Sequence, residues 1–344
     1  MTVAWSPVGA REVRIGLIGL GSMGRNHQRV LGSLSGVRLV AVADHDMAAL
    51  TAATPGSRLQ AFGEPMSMLS EADLDAVVIA SPTTSHLPLT LAAIERGIAV
   101  LVEKPLAATP AEADRIAVAA SAFGAPPVQV GHVERFNPAV IELARLLETG
   151  WLSRVIAISS QRVGPFPDRI RDIGVTSDLA THDVDILCAI AGERPSRVSA
   201  ETASRSPADH EDLLFGLMSF PSGIVARLAV DWLTPSTRRR LTVLGEEGMF
   251  ELDYVLQSLK FVRSAGTRHL GRINGHAPTF EGDLIELPVA TSEPLAAELA
   301  SFVRVVRDGG HPLVDVTDGR WAVMLADAFV TAARERRTVD LAPA

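Results

Sequence analysis

Several common kinds of chemistry are closed to this chain because the residues they need are missing. Among 344 residues there is one cysteine, Cys188, so neither an internal disulfide nor a zinc site built on several thiolates can form. There is one tyrosine, Tyr254, and Ser258 stands four positions after it, which excludes a Tyr-x-x-x-Lys catalytic pair. No run of about eighteen apolar residues occurs, so no membrane span is expected. Residues 1–12 lack the basic start and apolar stretch of an export signal, and with the lone thiol this points to a reducing, cytoplasmic setting. A formal net charge of −8 argues against sequence-blind binding to nucleic acid or to an anionic membrane. No basic stripe or helix-turn-helix pattern offsets that balance.

The length is too great for one typical core and suits two domains. Residues 1–131 alternate short apolar runs with helical patterns, which predicts a parallel sheet wrapped by helices. The runs fall at 13–19, 37–43, 76–80, 99–102 and 128–130 and are almost continuously apolar, as strands buried on both faces require. Helices are expected at 23–34, 85–96 and 110–123. From 132 to 344 the pattern changes. A helix at 138–148, a strand at 154–161, an irregular stretch at 162–175 and a helix at 177–191 come first. Alternating runs follow at 213–220, 224–232, 239–244, 249–254 and 258–263, joined by turns such as Pro221-Ser-Gly and Gly245-Glu-Glu-Gly. This is the sign of an antiparallel sheet. Residues 269–278 read as a loose hairpin or loop, and amphipathic helices at 295–308 and 317–336 close the second domain. The expected fold is α/β, a doubly wound parallel sheet followed by an α+β domain with an open, mostly antiparallel sheet.

Gly19-Leu-Gly21-Ser22-Met23-Gly24 lies between the first predicted strand and the first helix. Gly19 permits a tight turn, Gly21 lets the backbone approach a pyrophosphate, and Gly24 lets helix and strand pack closely, which is the Rossmann fingerprint. The N–H groups of Ser22 and Met23 at the helix start then meet the phosphates. Asp44 stands twenty residues after Gly24, at the end of the second strand. A carboxylate there accepts hydrogen bonds from ribose hydroxyls and repels a 2′-phosphate, so NAD is expected and NADP disfavoured. Asp44 could instead cap the helix that begins near Asp46, a task Asp46 could also take. Ser81-Pro82-Thr83 follows the 76–80 run at its carboxyl end, where it borders the nicotinamide or forms an ordinary turn.

Oxidising an alcohol by hydride transfer needs a group that takes the hydroxyl proton. With tyrosine and zinc–thiolate excluded, that group is His, Lys or a carboxylate. Glu103-Lys104-Pro105 ends the 99–102 run, again at a carboxyl edge. A lysine at the mouth of an apolar crevice is tuned by desolvation and can donate to a substrate oxygen; a surface lysine would fit the sequence equally well. Asp178, His182 and Asp185 fall at i, i+4 and i+7, on one face of a helix, where a carboxylate can orient an imidazole. The bland alternative is a half-buried helix with satisfied polar contacts, with Asp183 solvated.

Taken in order, Gly19-x-Gly21-x-x-Gly24, Glu103-Lys104-Pro105 and Asp178-Leu-Ala-Thr-His182-Asp-Val-Asp185 resemble the glucose–fructose oxidoreductase / inositol dehydrogenase (Gfo/Idh/MocA) family over nearly the whole chain. The resemblance implies an open sheet used in oligomer contacts, hence a homodimer or homotetramer. It also implies that Lys104 and His182 contact the reacting hydroxyl, that Asp178 positions substrate or His182, and that Glu103 and Lys104 border the cofactor. Gly131-His-Val-Glu-Arg-Phe-Asn-Pro138, Gly164-Pro-Phe-Pro-Asp-Arg-Ile-Arg171 and Asp231-Trp-Leu-Thr-Pro235 look more narrowly like the branch of UDP-N-acetylglucosamine 3-dehydrogenases. That likeness implies a nucleotide sugar oxidised at its 3-hydroxyl and a PLP-dependent aminotransferase as pathway partner. Arg135, Arg169 and Arg171 would then neutralise the diphosphate, with Asn137 beside them, and Phe136 or Trp232 would stack on a ring. Loop or interface salt bridges would use the same arginines. Thr176, Ser177 and Thr181 are polar where that branch is expected to be apolar.

Two alternatives stay open. One is an inositol, polyol or natural-product sugar dehydrogenase or 3-ketoreductase without a nucleotide handle. The other is a non-catalytic NAD-binding regulator, against which the intact Lys104, Asp178 and His182 speak. Cys188 falls among Ile186, Leu187 and Ile190 and reads as a core thiol. His27 and His86 read as capping or packing residues, His132 as able to reach the junction with the substrate domain, and no metal site is expected.

Overall fold

The computed structural model describes residues 5–54, 59–166, 174–205, 210–264 and 282–341. Two compact units form, one from Met1–Phe136 with Ser292–Asp327, the other from Asn137–Thr291 with Ala328–Ala344.

In the first unit the apolar runs become β1 Val13–Ile18, β2 Val37–Ala43, β4 Ala76–Ile79, β5 Ala99–Glu103 and β6 Val128–Gly131, with a short β3 at Gln60–Phe62. The sheet order is β3-β2-β1-β4-β5-β6, and every pairing is parallel. Helices α1 Ser22–Leu31, α2 Met47–Ala53, α3 Pro65–Glu71, α4 His86–Glu95 and α5 Pro110–Ala120 make the connections. β4 and β5 are buried at every position because helices cover both faces of the sheet. Strand order reverses between β1 and β4, and the carboxyl ends at that point leave a crevice in which ligands bind.

The second unit is built on β7 Val155–Pro165, β8 Arg197–Ala203, β9 Leu213–Ser219, β10 Val225–Asp231, β11 Leu233–Gly245, β12 Gly248–Asp253, β13 Ser258–Arg263, β14 Leu284–Leu287 and β15 Val339–Asp340. Among the described residues these make one nine-stranded sheet in the order β14-β13-β12-β11-β7-β10-β9-β8-β15. β10 and β7 run parallel, and the other strand pairs among the described residues are antiparallel. Helix α6 Pro138–Glu148 packs on β12 and β13, and α7 Thr181–Ala191 on β7 and β10. On β9 the side chains alternate, Leu214, Gly216 and Met218 turned inward and Phe215 and Leu217 more than half exposed. β7 is longer than its pattern suggests, so Arg162 belongs to a strand and not to an irregular stretch.

The last two helices are α8 Pro294–Asp308 and α9 Val316–Glu335. A boundary at 131 assigns both to the second domain, whereas α8 and the first part of α9 group with the parallel sheet. Leu299, Phe302 and Val306 of α8 share a core with Ile15 and Leu17 of β1, and a side chain at Gly319 of α9 would meet Val130 of β6. Both helices carry an apolar stripe, but periodicity says only that a stripe is buried, not against which sheet. Each fully buried large side chain such as Phe302 contributes roughly 1.5–3 kcal/mol, enough to hold the returning segment in place.

At the amino edge of the parallel sheet, Asp75 accepts hydrogen bonds from Arg11 at 2.6 and 2.7 Å and from the Arg14 guanidinium at 2.9 and 3.1 Å. It also accepts the Arg14 main-chain N–H at 2.8 Å. Burial pushes its carboxyl up, but these bonds outweigh it and hold the pKa down at about 2. The folded pKa lies below the unfolded one, so the stabilisation is fully present above pH 4 and disappears as pH falls toward 2. Chemical denaturation of Asp75→Asn at neutral pH should show a loss of about 1–2 kcal/mol, allowing for partial solvent access, and the gap to the parent should close in acid.

Candidate functional site

The glycine turn sits at the carboxyl end of β1. Gly19 has φ +91°, and a Cβ there would lie 2.5 Å from the Ala80 carbonyl oxygen, so neither conformation nor space admits a side chain. A Cβ on Gly24 would come within 1.9 Å of the Gly19 oxygen, which is how closely α1 packs on the turn. Nothing lies within 4 Å of a Cβ at Gly21. That open side, flanked by exposed Ser22 and Met23 at the start of α1, is a cradle of the kind a pyrophosphate fills.

Asp44 follows β2 and is half-buried. Its Oδ2 accepts the Leu20 N–H at 2.6 Å and its Oδ1 the Asp46 N–H at 2.8 Å, which ties the acid to the glycine turn. Capping of α2 falls to Asp46, which accepts from the N–H groups of Ala48 and Ala49.

Ser81, Pro82 and Thr83 leave β4 and enter a short 3-10 turn, Thr83–Ser85. The Ser81 and Ser85 hydroxyls bond at 2.6 Å. His86 next to them is 1% exposed. Its Nδ1 lies 2.8 Å from the Pro105 carbonyl and its Nε2 3.0 Å from the Ser81 carbonyl, so the ring spans the loops that follow β4 and β5. Burial pushes the imidazole below its ordinary pKa against the pull of those carbonyls. His86 is therefore a crossbar between two candidate cofactor segments and not a cap.

Glu103 ends β5 and is buried. Its Oε1 lies 2.7 Å from His27 Nε2, and its Oε2 accepts the Lys104 main-chain N–H at 3.2 Å. Burial raises its pKa, but the His27 hydrogen bond and the nearby Lys104 charge overcome this and hold it below the usual carboxylate value. Lys104 itself is half-buried. His27 emerges as a partner of the site, and its signal lies in spacing: Gly24, His27 and Leu31 share the buried face of α1.

In the second unit Asp178 lies in a wide π turn, Thr176–Ala180, and His182 in the first turn of α7. The interval between them runs through a change of pitch, so it is not the plain i, i+4 step of a regular helix. Asp178 is 6% and Asp185 2% exposed, while His182 is half-buried. Asp183 is not solvated. It is fully buried and accepts from Ser160 Oγ at 2.5 Å and Arg162 Nε at 2.7 Å, and the Arg162 guanidinium stands 5.2 Å over the Tyr254 ring. This buried pair fastens α7 to β7 at the residue next to His182. Glu211 Oε1 accepts the Thr176 N–H at 3.0 Å and steadies the π turn.

Those residues of the narrower, nucleotide-sugar likeness that are described have contacts within their own unit. Arg135 Nη2 lies 3.6 Å from Asp318. Phe136 is packed in a core with Val130 and Leu106. Asn137 caps α6 by accepting the Ala139 N–H at 3.1 Å, and it donates to the Tyr254 carbonyl. Trp232 is 5% exposed and meets Phe166 edge-on at 5.5 Å. Arg169, Arg171 and the 269–278 stretch lie outside the described residues. Among the described residues no three His, Cys, Asp or Glu groups converge as metal ligands, and no helix is long and apolar enough to cross a membrane.

A glycine turn, a pinned acid and a buried Glu-Lys corner on a sheet of this order define an NAD-binding Rossmann oxidoreductase. The chain belongs to the Gfo/Idh/MocA family: residues 13–132 match the oxidoreductase family with NAD-binding Rossmann fold, and 140–251 its C-terminal domain. Inositol 2-dehydrogenase 2 of Saccharopolyspora erythraea is 33% identical over 63% of this chain, which spans 66% of that relative's length. An inositol 2-dehydrogenase of Acidothermus cellulolyticus is 29% identical over 97% of this chain and 96% of its own. UDP-N-acetylglucosamine 3-dehydrogenase of Acidithiobacillus ferrooxidans is 28% identical over 90% of this chain and 93% of its own. The solved structure of that last protein superposes with a TM-score of 0.82 at 25% identity, covering 94% of this chain and 98% of that one.

Breaking the Arg162–Asp183 pair leaves a buried charge without its partner, so Asp183→Ala should cost about 3–5 kcal/mol in a denaturant titration. A thermal midpoint equal to the parent's would show that α7 is held by other contacts.

Proposed function

We propose that this oxidoreductase passes a hydride between a secondary hydroxyl of a small cyclic polyol or sugar and NAD, with an inositol as the first substrate to expect. The observation that carries this reading is the corner at Glu103–Lys104, where a buried carboxylate held by His27 stands beside a half-buried lysine at the carboxyl edge of the sheet. When bound, NAD supplies the hydride acceptor. Gly19, Gly21, Ser22, Met23 and Gly24 receive its phosphates, Asp44 its ribose hydroxyls, and Ser81, Pro82, Thr83 and Glu103 border its ring. Lys104 and His182 handle the hydroxyl proton, and Asp178 positions the imidazole or the substrate. Lys104 stands half-buried at the carboxyl edge of the sheet, where its ammonium can donate a hydrogen bond to a substrate oxygen. His86 and His27 act as positioning residues behind that chemistry.

The polyol is supported by the two inositol relatives and by the engagement of Arg135, Phe136 and Trp232 in an ion pair and in packing. A second reading, a UDP-sugar oxidised to a ketone that an aminotransferase then consumes, is supported by the coverage of the UDP-N-acetylglucosamine 3-dehydrogenase. We also propose that the outer sheet face carrying Phe215 and Leu217 is covered by a second copy of the chain, since exposed apolar groups in a patch mark association surfaces.

NADH absorbance with a panel of inositols, free sugars and UDP-sugars separates the readings. Turnover on inositols with none on UDP-sugars is expected, and the reverse would install the second reading. Lys104→Ala and His182→Ala should each lower kcat/KM by about 10²–10⁴-fold while NAD still binds. Asp44→Ala should weaken NAD binding and narrow the preference over NADP, because the repulsion of a 2′-phosphate goes with the carboxylate.

A further inference from the structure

One buried acid has no part in the chemistry so far. Glu298, on α8, is 0% exposed, and neither carboxylate oxygen has a hydrogen-bond partner among the described residues. Its main-chain carbonyl receives the buried Gln129 side chain at 3.4 Å, which places this turn of α8 against β6, the strand next to β5. A carboxylate in such a place would be stranded without a counter-charge, whereas a neutral acid is tolerated. Burial, and then the negative charge of Glu103, push its pKa well above the ordinary carboxyl value. Glu103 meanwhile stays ionised through its 2.7 Å bond to His27, whose second ring nitrogen, Nδ1, is buried without a hydrogen-bond partner. With Glu103 ionised and Glu298 neutral, the two acids carry one negative charge between them.

The other charges on the elements packed against α8 have their own partners. From α1, Arg25 donates to the Leu20 carbonyl and Arg29 pairs with Glu293. From β1, Arg14 is bound to Asp75. The turn Val133–Phe136 brings Glu134, 8% exposed, and Arg135, which faces Asp318. Glu103 is the charge that acts on Glu298.

We propose that Glu298 is a redox-linked proton site, a neutral acid that gives up its proton when the cationic ring of NAD+ comes to rest beside Glu103 and recovers it when the ring is neutral. This rests on the proposed cofactor site, in which Glu103 borders the nicotinamide. The chemistry balances simply. The O–H bond of the Glu298 carboxyl breaks, the proton passes to solvent, and the new carboxylate offsets the positive charge of the ring. After hydride uptake that charge is gone, and a second buried anion beside Glu103 is no longer favoured, so a proton returns. By linkage, the affinity for NAD+ must then rise with pH over the range where Glu298 titrates, and the affinity for NADH must not.

Titration calorimetry of the whole protein with NAD+ and with NADH, in buffers of different ionisation enthalpy and across the pH range in which the protein stays folded, counts the protons released. The expected result is a fraction of a proton more for NAD+ than for NADH, with the difference abolished in Glu298→Gln. Equal release by both forms, or a difference that persists in the Gln variant, overturns the inference. Should that variant fail to fold, the parent alone decides. The ratio of NAD+ to NADH affinity should climb with pH, at most about tenfold per pH unit for one linked proton, and a flat ratio overturns the inference. Binding of neither form would instead remove the cofactor site itself and this inference with it, whereas tight binding of both with a flat ratio removes this inference alone.

Discussion

Helix α1 and strand β5 are joined by a hydrogen bond between two groups that could not otherwise stay buried. His27 Nε2 lies 2.7 Å from Glu103 Oε1, the histidine fully enclosed and the glutamate nearly so. An isolated ionised carboxylate in that position would carry a desolvation cost of several kcal/mol. The imidazole offsets that cost, so the corner that holds Lys104 can form at all. The same contact sets the distance between the phosphate cradle, at the start of α1, and the end of β5. Gly24 makes the approach possible by removing the one side chain that would strike the Gly19 carbonyl.

Each unit repeats this device. In the parallel-sheet unit a buried pair links the first helix to the strand edge, and His86 adds a second tie between the loops after β4 and β5. In the antiparallel unit Asp183, gripped by Ser160 and Arg162, fixes α7 on β7 at the residue beside His182. Rigid support of this kind is what the proton-transfer roles proposed for Lys104 and His182 require, because a small error in placement is costly in rate. Buried acids and bases in the same unit as Lys104, His27, Glu103 and Glu298 among them, are also what the proposed site needs if its charge is to change with the redox state of a bound ring.

Much of the first unit was legible beforehand for a physical reason. Strands buried on both faces must be continuously apolar, and β1, β2, β4, β5 and β6 are bounded within a residue or two of their patterns. The three-residue β3 and the two-residue β15 carry too little periodicity to read. β8 begins with Arg197 and is mostly polar and half-exposed, so it lacks a clear alternation. The glycine turn was readable because a close backbone approach leaves only one residue type possible, and Asp44 because an acid at the end of the second strand stands at a fixed interval from that turn. His27 and His86 were not, because nothing local distinguishes a histidine that packs from one that braces a site. Asp183 misled for the opposite reason: next to a histidine on a polar stretch it looks solvated, yet its partner Arg162 lies in what seemed an irregular segment.

By itself, then, the sequence determined the α/β class, the nucleotide cradle, the preference implied by Asp44 and the candidates Lys104, His182 and Asp178. These rest on residue types and short spacings that local sterics and hydrogen bonding dictate. Tertiary structure alone decided that α8 returns to the parallel sheet, that Glu103 meets His27 across 76 positions, and that the Glu298 carboxyl is sealed away without a hydrogen-bond partner among the described residues. Long-range pairing of buried charge depends on which faces meet, and an amphipathic stripe specifies that it will be covered without specifying by what.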